Sequence, residues 1–284
     1  MQTSPTQGIG VLSSISFGGT ALAAAFRKGL GRDVPMNVKD NRGYDAKSLN
    51  EALQALNNDV ELGLIVTVGG LVVAQEAAKE TGATLPFISL VGGTPGIFPS
   101  LGQGYFRGGV SLETFAQNPH RVAHLATLGV PESKICLLSN PNSYMAAAET
   151  AAWMSGGRGP VIKAGGTSKG SSNSTTTYRP AFAEIAKTGM VGVVVSADPF
   201  FKETMDELID AANGWITQGK GRRICYPLLD YENPTGKCKP APGYTLHGPI
   251  LEEAYELLGR MAADFLASRP IGLETFGLSA PRDR

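Results

Sequence analysis

One rhythm constrains this chain more than any other feature. Short β-branched runs end in turns rich in Gly, Ser or Asn, and Ala-rich segments spotted with charge follow them. The runs are Gly8–Phe17, Leu62–Val68, Thr84–Val91, Ile135–Asn140, Val161–Ala164, Met190–Ala197 and Ile224–Leu229. Strands alternating with helical stretches read as βαβ units and therefore as parallel sheets. Open α/β sheets bind ligands outside the carboxyl ends of their strands, so those ends are the first place to look for function. Here they read Ser13-Ser14, Val68-Gly69-Gly70, Val91-Gly92-Gly93-Thr94, Ser139-Asn140-Pro141-Asn142 and Ser196-Ala197-Asp198. They are small and polar. None carries a metal-ligand cluster or a nucleophile beside a base, which points to binding before catalysis.

The segments between the runs have helical signatures. Ala21–Gly29 is a helix closed by glycine. Within Asp45–Leu56, Ala46, Leu49, Leu53 and Leu56 recur at helical spacing. Leu71–Thr81, Asn118–Leu128, Ser143–Met154, Tyr178–Thr188 and Lys202–Gly214 continue the pattern. Pro249–Ser268 puts Leu251, Ala254, Tyr255, Leu258, Met261, Ala262 and Phe265 on one face. Gly92–Gly109 has no clear period and reads as a loop with a short edge element. The polar run Gly165–Thr177 reads either as a mobile loop or as a segment that closes over a ligand.

Two βα blocks result, 8–109 and 112–230, followed by a Pro-rich connection at Asn233–Pro242 and the last long helix. The expected organisation is one Rossmann-like lobe of residues 1–109 with 244–270 and a second of 110–243. The tail 271–284 stays unassigned, and a ligand cleft is expected between the lobes.

Charge narrows the partners. The chain of 284 residues has 25 Lys+Arg against 25 Asp+Glu, so no electrostatic footprint for nucleic acid is expected. No stretch approaches roughly 18 continuous apolar residues, so no membrane insertion is expected. Three cysteines cannot pair completely; Cys136 and Cys225 fall inside strand-like runs as buried thiols, and a Cys225–Cys238 bridge is the alternative. No signal-peptide pattern opens the chain. The expected location is cytoplasmic if the chain starts as written and periplasmic if an export signal has been trimmed.

Each candidate site residue has a functional and a structural reading. Gly69, Gly70, Gly92 and Thr94 lie where strands meet helices, so backbone N–H groups there can hold an anion; tight turns explain the glycines equally well. Ser13, Ser14, Asn140, Asn142 and Ser196 offer donors and acceptors to a solute, or cap the next helix. Asp198 can receive a ligand ammonium or cap the helix near Phe200. Asp230, beside Tyr231, suits an amino group or a structural turn. Tyr178 follows the polar run and is expected to line the cleft, and Arg107 offers a charge for an anionic ligand. His120 and His124 share a helical face but lack a third metal ligand, so no metal and no cofactor are expected. His247, beside Gly248-Pro249, reads as structural.

Several stretches together resemble a known family. These are Ala21–Lys39, Gly63–Ala78, Pro86–Thr94, Arg107-Gly108-Gly109-Val110, Ile135–Asn142, and Gly243–Ala267 with its Leu-Gly-Arg-Met-Ala-Ala helix at Leu258–Ala263. They are similar to the substrate-binding proteins of ABC transporters, in the TrpX-like branch, with the type I periplasmic-binding fold. Two turns depart from the family pattern: Val68-Gly69-Gly70 stands for an Ala-Thr-Pro-type turn, and Leu90–Pro95 for Thr-Asp-Pro. The family's aromatic amino-acid ligands are therefore not carried over. The resemblance implies non-catalytic binding of a small polar solute, an amino acid or similar, and ABC permease subunits as partners. The alternatives are an α/β enzyme, a racemase or hydrolase using Cys136 or Cys225, and a cytoplasmic solute sensor using the same cleft.

Overall fold

The computed structural model describes residues 7–15, 17–40, 46–79, 82–92, 98, 101–102, 104–112, 117–143, 146–165, 174–228, 238–276 and 281–283. The chain divides into two compact units, Met1–Glu113 with Leu251–Gly277 and Thr114–Ile250 with Leu278–Arg284. The first holds β1 (Gly8–Ser13), α1 (Ala21–Leu30), β2 (Met36–Asp40), α2 (Ala46–Asn57), β3 (Leu62–Val68), α3 (Leu71–Ala78), β4 (Phe87–Gly92) and β5 (Phe106–Leu112). The second holds α4 (Asn118–Thr127), β6 (Ile135–Ser139), α5 (Ala146–Ser155), β7 (Val161–Lys163), α6 (Ser174–Lys187) and β8 (Gly192–Val195). It continues through α7 (Pro199–Glu203), α8 (Met205–Thr217), β9 (Arg223–Tyr226) and β10 (Tyr244–Leu246). The chain then returns to the first unit for α9 (Leu251–Leu266) and β11 (Leu273–Phe276), and ends in the second with β12 (Arg282–Asp283).

Among the described residues the strands form two six-stranded sheets, ordered β11-β5-β4-β3-β1-β2 and β12-β10-β9-β8-β6-β7. All pairings are parallel except β12 on β10. Inner strands of such sheets are covered on both faces, which is why their sequences are continuous apolar runs. β1 and β6 are buried at every residue.

Each unit has its own core. In the first, Leu49, Leu53 and Leu56 of α2 pack with Leu12, Ile65 and Phe87 from the sheet. In the second, Val122, Leu125 and Trp153 close on Ile135, Leu137 and Val194. Trp153 also donates its indole N–H to Gly159 O at 2.7 Å, which satisfies the polar edge of a ring otherwise in the core. α1 starts at Thr20, whose hydroxyl accepts the Ala23 N–H, and stops at Gly31 with φ 63°. Its Gly29 meets Gly259 of α9 so closely that a Cβ on either would lie 2.0 Å from Glu256 O or 2.1 Å from Phe26 O.

Four details differ from the sequence reading. The segment taken as loop and edge, Gly92–Gly109, ends inside β5, an inner strand between β4 and β11. Its Gly108 and Gly109 hide it from a β-propensity reading, yet they permit it. A Cβ on Gly109 would sit 2.1 Å from Ser89 O, and Gly108 has φ 147° with Gly272 O just 2.3 Å from its missing Cβ. The return to the first unit comes at Leu251 rather than 244, because Tyr244–Leu246 pairs with β9 in the second sheet. The unassigned tail adds an edge strand to each sheet. Finally, α6 begins at Ser174, so the end of the polar run is helical.

Candidate functional site

The two sheets share one internal order about their first strand, β2-β1-β3-β4-β5 and β7-β6-β8-β9-β10. From β1 the chain steps outward to β2 and then crosses back past β1 to β3, and from β6 it steps outward to β7 and crosses back past β6 to β8. Such a reversal opens a crevice outside the carboxyl ends of the strands that flank it. The crevices fall at β1/β3 and at β6/β8.

At β1/β3 the structure brings Ser13, Ser14, Gly69 and Gly70 together. Ser14 donates its N–H to Val68 O (3.3 Å) and its hydroxyl to Gly69 O (2.7 Å). Gly69 has φ 97°, and a Cβ there would lie 2.4 Å from Ser14 Oγ, so this turn accepts only glycine. Ser13 donates its hydroxyl to Ile15 O at 2.8 Å. Gly70 precedes α3 with no side-chain cap. Gly92 is the half-buried last residue of β4. Asp40, at the end of β2, accepts the N–H groups of Phe17 (3.2 Å) and Gly18 (3.0 Å) and so holds the turn after β1. Thr67 and Ser89 pair across β3 and β4 at 2.6 Å.

At β6/β8 the structure brings Asn140, Ser196 and Asp198 together. Asn140 donates Nδ2–H to Asp198 Oδ1 (3.0 Å), and the same oxygen accepts the Phe200 N–H (3.0 Å) at the start of α7. The two readings of Asp198 therefore meet: it caps a helix and also fixes a neighbouring amide. Asn140 Oδ1 accepts the Asn142 N–H at 3.1 Å, and Asn142 itself is exposed. Gly165, following β7, approaches Asn140 so closely that a Cβ would be 2.1 Å from Oδ1.

Beneath this crevice lies a buried polar network that sequence reasoning missed. Glu149 of α5 is 3% exposed. It accepts hydrogen bonds from Ser196 Oγ (2.7 Å), Ser139 Oγ (3.5 Å) and Asn118 Nδ2 (3.0 Å). Burial pushes its carboxyl above the usual carboxylate range, while the bonds from Ser196 and Asn118 and nearby Arg121 oppose the rise. Arg121 has no exposed surface. Its guanidinium donates to Asn118 Oδ1 (2.8 Å), Gln117 Oε1 (2.9 Å) and His247 O (2.8 Å). Gln117 Nε2 and His247 Nδ1 are buried without a partner. The only sequence signal was a Glu in an Ala-rich helix and an Arg in an amphipathic one, both ordinarily solvent-facing.

Three other expectations resolve differently. Tyr178 does not line a surface: it is fully buried, its hydroxyl 2.5 Å from Thr204 Oγ1, its ring against Phe200 and Phe201. The apolar neighbours of an amphipathic helix claim it. Arg107 lies at the amino end of β5, bonded to Gly104 O and Phe106 O, away from the crevice. Cys136 and Cys225 are buried within strands, and burial pushes both thiols up to about 12, which leaves them thiols rather than nucleophilic thiolates. Thr94 and Asp230 lie outside the described residues. Among the described residues no group of three or more His, Cys, Asp or Glu is placed to hold a metal ion, and no helix is long and apolar enough to cross a membrane.

No family model matches the chain, and no curated protein matches it in sequence. Solved structures match it in fold. One is an ABC domain in complex with L-Trp from Streptococcus pneumonia, 14% identical with TM-score 0.63 over 95% of this chain and 91% of that one. A second is an ABC transporter solute-binding protein from Agrobacterium vitis with bound allitol, 12% identical with TM-score 0.67 over 97% and 96%. A third is a LacI family transcriptional regulator from Bifidobacterium animalis subsp. lactis, 14% identical with TM-score 0.67 over 98% and 97%. These are binding proteins and a regulator. At such identities the likeness is one of fold: the chain has the two α/β lobes of the type I periplasmic-binding architecture.

Proposed function

We propose that this protein binds a small polar solute, without chemistry, at the crevices of its two sheets. The observation that carries the reading is their equivalence. The same strand order recurs in both units, and both reversal points are lined by short polar side chains and close-packed glycine: Ser13 and Ser14 with Gly69 in the first, Asn140 and Ser196 with Gly165 in the second. Exposed Asn142 and half-buried Gly92 are the direct contacts we favour. Ser13, Ser14, Gly69, Gly70, Asn140, Ser196 and Asp198 shape the turns around them, and Thr94 and Asp230 are kept as proposed contacts on the sequence alone.

The finer reading is the substrate-binding component of an ABC-type transporter, delivering its solute to permease subunits outside the cytoplasmic membrane. Fold neighbours complexed with L-Trp and with allitol support solute binding. The resemblance of the sequence to that family supports an amino acid or similar solute.

The test has two arms. Protein purified under native conditions is denatured, and the released small molecules are identified by mass spectrometry. Refolded, solute-free protein is then screened by thermal shift against amino acids, including L-tryptophan, and polyols, including allitol. A true solute at a hundred times its Kd stabilises by about 2.7 kcal/mol, and Asn142→Ala weakens its binding. A blank in both arms sinks the solute-binding reading.

A further inference from the structure

The chain passes between the units at 113/114, 250/251 and 277/278. On the second unit's side all three passages lead to one helix. α4 begins directly after the first, with Gln117 and Asn118 at its start. Arg121, one turn on, donates to both of those side chains and sends Nε–H to His247 O, just ahead of the second passage. His124, three residues further along the same face, sits 2.6 Å from Asp283 Oδ1. Asp283 belongs to β12, the strand that follows the third passage and pairs Thr245↔Asp283 on β10. The rings of His124 and His247 meet edge-on with centroids 5.9 Å apart.

Packing does not call for this arrangement. A buried guanidinium must give up its hydration, and an apolar side chain of similar volume usually serves stability as well or better. What Arg121 supplies is direction: its planar fork holds acceptors on two stretches of chain, Gln117 and Asn118 at the start of α4 and the carbonyl of His247. The same network continues through Asn118 and Glu149 to Ser196 at the crevice.

We propose that Arg121 and His124 are positioning residues that fasten the three chain passages to α4 and so limit the range over which the two units reorient. The purpose of such a limit rests on the solute-binding reading, because a protein that closes on a solute needs a defined excursion; its test does not, because no solute is used.

Spin labels at Val60→Cys and Met154→Cys, one per unit at exposed sites, report the inter-unit distance distribution by pulsed dipolar spectroscopy. The background carries Cys238→Ser, with buried Cys136 and Cys225 left in place. Arg121→Met and His124→Gln are compared with the parent, and amide exchange is followed in parallel. We expect a broader distribution in both variants. Exchange should rise tenfold or more at His247 and Gly248 in Arg121→Met, and at Arg282 and Asp283 in His124→Gln, with Gly192–Val195 unchanged as a control for folding. Should Arg121→Met fail to fold, His124→Gln and Asp283→Asn carry the test. A parental distance distribution in the folded variants overturns the proposal, whether or not exchange rises. Broadening without faster exchange at these amides also overturns it, because the fastening would then lie elsewhere.

Discussion

Asp198 shows how much one short side chain can organise. Its Oδ1 accepts both the Asn140 amide and the Phe200 N–H, so Asp198→Ala removes a helix cap and frees a buried amide at once. Loss of a cap typically costs about 0.5–2 kcal/mol, and an orphaned buried donor about 1–3 kcal/mol. A urea titration should therefore place the variant roughly 2 kcal/mol below the parent, with Asp198→Asn between them because its amide oxygen still accepts. His247 makes a second residue-level prediction. Burial, with Arg121 and the neighbouring histidines, lowers its pKa from 6.5 to about 4. The unfolded chain takes up this proton near the ordinary value, the folded one only near 4. Between those values the unfolded state holds more protons, so stability is full above about pH 6.5 and falls as pH falls toward 4. His247→Asn should flatten that part of the stability–pH curve, measured as urea midpoints from pH 7 to 4. An unchanged slope would mean that His247 is already charged in the fold.

At the scale of elements, glycines decide which helices and strands can touch. Gly29 and Gly259 let α1 and α9 approach backbone to backbone, and Lys28 with Arg260 then brackets Glu256 at 2.7 and 2.9 Å. Those exposed ion pairs add little on their own; the contact is made by the missing Cβ atoms. Gly29→Ala forces the helices apart and should destabilise by about 1–3 kcal/mol, as overpacking does. Gly214 is the control. It lies in α8, exposed, and a Cβ added there would meet nothing within 4 Å, so Gly214→Ala should stabilise by about 1 kcal/mol through helix propensity. Equal effects from the two substitutions in thermal or chemical unfolding would refute this account. The same chemistry explains why β5 escaped a pattern-based reading. Its glycines lower strand propensity while meeting the steric needs of a strand wedged between β4 and β11.

The whole molecule has two cores and two sheets, which makes its unfolding separable by probe. Both tryptophans, Trp153 and Trp215, fall in the second unit, so indole fluorescence reports that unit while far-ultraviolet circular dichroism reports both. We expect Gly29→Ala, in the first unit, to shift the dichroism transition in urea and to leave the fluorescence midpoint in place; a common shift would show one cooperative unit instead. At this scale, too, the division between sequence and tertiary structure becomes clear. Parallel α/β architecture was legible because it depends on local rules. A β-branched run, a Gly- or Asn-containing turn and an amphipathic helix are each written within about twenty residues. The same rules pointed to the crevice residues Ser13, Ser14, Gly69, Gly70, Asn140, Ser196 and Asp198, since strand ends can be read without knowing strand neighbours. The order of the strands, the burial of Tyr178, and the network joining Glu149, Arg121 and His247 were decided only in three dimensions. Arg121 and His247 O are 126 residues apart, and an Arg on a helix carries no local mark of being buried. Whether a polar group is solvated or enclosed depends on partners that long-range packing alone brings to it.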